Sequence, residues 1–171
     1  MPGAMKQVRG IGGCSGLAAM LLVAGCASYG GSGLKPGASS ADEVRRTMGE
    51  PVKICQLAEG MQNWIYPRGP EGEHTFNVHV DRDGVFRSIE NVLEERGFAR
   101  VSRGTSTKDD VLCMFGPPLI EFYFKARNEL VWDYRFKDAW GYTSMFHVLF
   151  NDAGIVTRTL QIREDDRGGP K

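Results

Sequence analysis

The chain reads as a mixed α+β fold of two tandem units, each a short helix followed by a three-stranded antiparallel sheet. Three observations carry this expectation. A fifteen-residue pattern occurs twice, as GASSADEVRRTMGEP from Gly37 to Pro51 and GTSTKDDVLCMFGPP from Gly104 to Pro118. Gly37, Ser39, Asp42, Val44, Gly49 and Pro51 are answered by Gly104, Ser106, Asp109, Val111, Gly116 and Pro118, every pair 67 positions apart with no gap. Behind each copy, apolar and polar residues alternate with the period of two that a half-buried strand requires.

Residues 1–25 stand apart from the fold. Lys6 and Arg9 form a small positive head, and Leu17 to Ala24 (LAAMLLVA) an apolar core shorter than the roughly 20 residues of a bilayer span. That arrangement is a secretion signal. Val23-Ala24-Gly25-Cys26 closes it and resembles the lipobox of bacterial lipoproteins, which implies cleavage before Cys26 and lipidation of that cysteine. Cys14, with no apolar run ahead of it, falls within the removed signal. Two or more acyl chains hold a protein firmly to a bilayer, and Ala27 rather than aspartate after the cysteine implies the outer membrane, facing the periplasm.

Residues 26–36, rich in glycine and serine, read as a flexible tether. The first unit then covers residues 37–92. Ser39 caps its helix and Asp42, three residues on, completes a capping box; Gly49 and Pro51 stop it. Trp64 and Tyr66 mark one strand and Phe76, Val78 and Val80 the next, and Asp83-Gly84 turns the chain into a third from Val85 to Val92.

The second unit covers residues 93–163. Its entry, Leu93 to Gly104, places Phe98 and Val101 at a helical spacing, and Ser106 with Asp109 repeats the capping signal. Ile120, Phe122 and Phe124 suggest an inward row, followed by the unbroken row Leu130, Trp132, Tyr134 and Phe136. Phe146, Val148 and Phe150 give another, and Asn151-Asp152-Ala153-Gly154 leads into Ile155 to Arg163. Residues 164–171 read as a disordered tail.

Charge and chemistry exclude several classes of function. Loss of Lys6 and Arg9 with the signal leaves 19 basic against 21 acidic side chains, with no basic tract to meet nucleic acid. His74, His79 and His147 lack metal-site spacing, no Cys-x-x-Cys or His-Glu-x-x-His occurs, and no cofactor motif is present. The expectation is a protein without catalysis. Cys55 and Cys113 remain after lipidation; an oxidising periplasm would permit a bridge, but they occupy unequal repeat positions, which favours two buried free thiols.

The candidate binding surface is apolar. Asp138 to Thr143 (DAWGYT) is a glycine-containing loop with two aromatics, where the matching stretch of the first unit, Pro67 to His74, is polar. Trp140 and Tyr142 are of the types that concentrate energy at interfaces. Trp140 either reaches a partner or folds back over the sheet edge. Met145 and Leu149, opposite the Phe146 row, either extend this patch or meet the first unit.

Ala99-Arg100-Val101, Gly104, Ser106, Val111, Gly116, Pro118, Trp132 to Phe136 (WDYRF) and Phe150 to Thr157 (FNDAGIVT) together resemble the SmpA/OmlA lipoproteins, the BamE-like family. The resemblance covers nearly all of the second unit and, more loosely, the first. It implies helices packed on a small antiparallel sheet, and a scaffold that binds envelope proteins, among them the β-barrel assembly machine, without a cofactor. The duplicated shape is also similar to that of the secreted β-lactamase inhibitor proteins. That second likeness implies a lipid-tethered inhibitor acting through its sheet.

Overall fold

The computed structural model describes residues 28–69 and 72–164. The proposed signal peptide, Cys26 and residues 165–171 lie outside them. The chain is mixed α+β, with two four-stranded antiparallel sheets in strand orders β1-β2-β3-β4 and β5-β6-β7-β8. Helix α1 (Ala41–Met48) leads into β1 (Lys53–Gln56), a 3₁₀ turn (Ala58–Gly60), β2 (Gln62–Arg68), β3 (His74–Val80) and β4 (Phe86–Asn91). Helix α2 (Glu95–Phe98) and helix α3 (Lys108–Phe115) precede β5 (Ile120–Phe124), β6 (Glu129–Lys137), β7 (Thr143–Phe150) and β8 (Val156–Arg163).

The three-stranded expectation is therefore one strand short. Lys53 to Gln56 is too brief, with only Cys55 buried, to register as alternation, and pairing with β2 is what makes it a strand. The helix caps also sit one residue later than expected. Ser40 and Thr107 are the capping residues, with Glu43 and Asp110 reaching back to close each box. Ser39 and Ser106 are instead buried, their hydroxyls accepting hydrogen bonds from the Lys35 and Ser102 backbone N–H groups. Both helices end on a glycine of positive φ, 83° at Gly49 and 77° at Gly116, a conformation that side-chain-bearing residues resist.

The same backbone clasp holds each helix to its sheet. Gly37 N–H donates to the Phe86 carbonyl and Phe86 N–H to the Ser39 carbonyl; Gly104, Val156 and Ser106 do the same in the second half. Each sheet has its own apolar cluster. Val44 and Met48 pack on Trp64, Tyr66, Val78, Val80 and Phe86. Val111 and Phe115 pack on Trp132, Tyr134, Phe136, Phe146, Val148 and Phe150, together with Phe98 from α2. Phe98 lies flat on Phe146 with ring centroids 4.0 Å apart, so the link between the halves serves the second core.

The stretch read as a free tether is mostly exposed but is held to the first unit at Ser28, Tyr29, Gly31 and Leu34. Ser28 N–H donates to the Thr47 carbonyl, the Tyr29 hydroxyl meets His74 Nδ1 at 2.8 Å, and Leu34 packs against the first cluster. Glycine-rich composition misled here because Gly31, buried at φ 72°, lets the backbone lie against Met48 and Ile89.

The halves are layered. α3 packs on its own sheet through Val111 and Phe115, and its other side lies across the far face of the first sheet. There Cys113 is disulfide-bonded to Cys55, with Cα atoms 5.8 Å apart. Asn63 Nδ2 donates to the Cys113 carbonyl at 2.8 Å, Asn77 Nδ2 to the Met114 carbonyl at 2.9 Å, and Lys53 meets Asp109 at 3.0 Å. The expectation of two free thiols fails for a tertiary reason. Unequal repeat positions are what a contact between successive units produces, because the helix of one unit crosses the sheet of the other. The resulting order is α1, first sheet, α3, second sheet.

Candidate functional site

Alternation settles which residues share a face, and pairing settles which face it is. Phe122 stands opposite Val131 and Ile120 opposite Asp133, whereas Glu121 stands opposite Trp132. Ile120, Phe122 and Phe124 therefore lie on the side of the second sheet away from α3, and the expected inward row is overturned. All five residues of β5 are exposed, Phe122 by 50%. Among the described residues β5 is paired on one side only, with β6.

Across this outer face the neighbouring rows are Phe122, Val131, Leu149 and Arg158; then Ile120, Asp133, His147 and Leu160; then Arg135, Met145 and Ile162. Val131, Met145 and Leu149 are buried beneath longer neighbours, while Leu160 and Ile162 are exposed. A shallow hollow of about 220 Å³ opens here, lined by Phe124, Val131, Leu149, Leu160, Ile162 and His147 and edged by Arg127, Glu129 and Arg158. Arg158 and Glu129 approach to 3.7 Å across its rim. His147 Nδ1 lies 2.6 Å from Asp133 Oδ1, and its Nε2 is buried without a hydrogen-bond partner among the described residues.

The structure separates the four residues expected to bind a partner. Leu149, 4% exposed, floors the hollow. Met145, 1% exposed, lies under the same face, cannot be touched without rearrangement and does not extend an exposed patch. Trp140 and Tyr142 are elsewhere, on the β6–β7 loop. Trp140 is 80% exposed, so it does not fold back over the sheet. The loop is held open by Asp138, whose Oδ1 accepts from the Trp140 and Tyr142 N–H groups at 2.9 and 3.0 Å and whose Oδ2 accepts from Arg163 at 2.7 Å. Burial would push the Asp138 carboxyl up, but these hydrogen bonds outweigh it and hold it below the usual carboxylate range. Arg163 also stacks over the Tyr142 ring at 4.5 Å. Ile120, Phe122 and Phe124 were missed as binding residues because their alternation reads as an inward row, and Leu160 and Ile162 because alternation alone assigned them no face.

Among the described residues, no three His, Cys, Asp or Glu side chains converge as metal ligands, and no helix is long and apolar enough to cross a membrane. His74 and His79 are hydrogen-bonded to Tyr29 and Ser88.

No protein-family model matches the chain, and no curated protein matches it. Among solved structures, it is similar to a DUF4309 family protein, YjgB, from Bacillus subtilis. That match is 14% identical with a TM-score of 0.30, covering 78% of this chain and 84% of the other.

Proposed function

We propose that this chain is a non-enzymatic lipoprotein scaffold of the outer membrane that binds envelope proteins, serving as an accessory of β-barrel protein assembly. The observation that carries the binding role is the apolar outer face of the second sheet, bordered by an exposed aromatic edge strand. Monomeric proteins rarely leave such a patch open unless something binds it. Two tandem BamE-like units and the lipobox at Cys26 supply the envelope setting. The layering fits that setting. Ser28 and Tyr29 are held at the α1 end of the stack, so a lipid on Cys26 places α1 nearest the membrane and leaves the outer face of the second sheet at the opposite end. Crosslinking in intact cells, followed by recovery of this chain from membranes, is expected to yield envelope proteins, with β-barrel assembly subunits among them. Recovery of the chain alone would defeat the reading. Cys26→Ala is expected to shift the chain out of the membrane fraction.

A second reading, a tethered inhibitor of a periplasmic enzyme, is favoured by the exposure of Trp140 on a pre-formed loop. It requires a one-to-one complex that survives Cys26→Ala. Trp140→Ala would then weaken inhibition by roughly 30-fold or more, the loss of an anchor worth at least about 2 kcal/mol.

A further inference from the structure

The two ends of the described stack differ: one is a charged helix side, the other a sheet face with exposed apolar residues. In repeat architectures each unit packs only on its neighbours, and a terminal surface needs a polar finish to remain exposed. α1 has one: Asp42 and Arg46 are exposed on its free side, with Glu50 exposed just past its end. At the repeat position of Arg46, α3 instead carries Cys113, which lies on the first sheet. Among the described residues no helix covers the outer face of the second sheet, and beside its Arg158–Glu129 pair it leaves Leu160, Ile162 and the β5 aromatics exposed.

The two outer faces correspond position by position. Cys55, Asn63 and Asn77 in the first sheet become Phe122, Val131 and His147 in the second. The first set is covered by a helix, α3, whose backbone carbonyls accept from Asn63 and Asn77. The second set is more apolar, and the His147 ring places an unpartnered nitrogen where Asn77 meets α3. Continuity with the existing helix-on-sheet interface identifies the missing layer. We propose that the outer face of the second sheet receives an amphipathic α-helix of another protein, lying as α3 lies on the first sheet. Its apolar side chains, spaced three and four residues apart, fill the hollow between Phe124, Val131, Leu149 and Leu160. An acidic residue at its edge faces Arg127. A second copy of this chain is a poor occupant, because the free side of its α1 is charged and the outer side of its α3 is already bonded to its own first sheet.

The inference rests on the scaffold reading and is tested separately from it. Benzoylphenylalanine is placed in the full chain, in living cells, at Phe124, Leu160 or Ile162, and in a fourth variant at Trp140. The expected result is adducts from the three sheet positions to one other protein, at partner residues separated by three, four or seven positions. Leu160→Asp, at an exposed site, should reduce the Phe124 adduct at least tenfold with the melting temperature unchanged. Partner residues two apart, marking an extended strand, would overturn the inference, as would adducts confined to lipid or to another copy of this chain. Adducts at Trp140 alone would overturn it while leaving protein binding in place. Silence at all four positions would remove both.

Discussion

Tyr66 and Tyr134 stand at corresponding places and make the same bond. Each hydroxyl donates to the carbonyl of the glycine that stops its helix, Gly49 at 3.2 Å and Gly116 at 3.0 Å. Replacing either with phenylalanine strands that acceptor and should cost about 1 kcal/mol in urea unfolding, more at Tyr134, whose bond is the buried one of the two. Tyr142→Phe, at an exposed ring, should change little. Burial pushes the Tyr66 hydroxyl up to about 12 and the Tyr134 hydroxyl up as well. An acid whose folded value is raised stabilises the fold below its ordinary value, here 10.0, and loses that contribution as pH climbs toward 12. Unfolding midpoints should fall across that window, and less steeply in Tyr66→Phe. The carboxyls behave oppositely. The Val85 N–H holds Asp81 low, the Thr107 N–H does so for Asp110, and the Arg100 guanidinium for Glu90. Their contribution is present near neutral pH and is lost as pH drops below about 4.

Helices α1 and α3 share a frame but carry different loads. The shared part is local: cap, acid and glycine stop recur at the same spacing, and all were visible in the sequence except for a slip of one residue at both the cap and its acid. Serine occurs at both Ser39 and Ser40, and only the bond from Lys35 N–H to the Ser39 hydroxyl decides which one is free to cap. Ser40→Ala and Thr107→Ala should each cost about 1 kcal/mol, whereas Asp42→Ala, removing an exposed pair with Arg45, should cost less than about 0.5 kcal/mol. The unshared part is tertiary. One side of α1 meets water; the equivalent side of α3 meets a second sheet. The short helix α2 depends on Gly97, where a Cβ would stand 1.9 Å from the Val92 carbonyl oxygen. Gly97→Ala must displace Phe98 from Phe146, Phe136 and Phe115, and a loss of about 3 kcal/mol or more in unfolding free energy is expected.

At the scale of the whole molecule, the Cys55–Cys113 bridge joins a strand of one half to a helix of the other across 58 positions. Closing a loop of that length stabilises the folded chain by about 4 kcal/mol, chiefly by restricting the unfolded chain. The double variant Cys55→Ser, Cys113→Ser should lose about that much. The halves, each with its own apolar cluster, should then melt at separate temperatures in calorimetry where the bridged chain melts once. Asn63 and Asn77 add two bonds to α3, and their buried Oδ1 atoms have no hydrogen-bond partner of their own, so these side chains are held for the helix they touch.

The amino-acid sequence alone determined the repeat, the helix stops, the strand alternation and the α+β class. Those features follow from capping, backbone freedom at glycine and side-chain periodicity, which act over a few residues. Only the tertiary structure decided that β5 turns its aromatics outward, that Ser28, Tyr29 and Leu34 are held to the first unit, that the cysteines pair, and that Trp140 is exposed while Met145 is buried. The Trp140 loop is set by the turn that Asp138 holds, whereas most of the rest depend on which sheet face another element covers. That is fixed by how one unit stacks on the next, and residues dozens of positions apart settle it together.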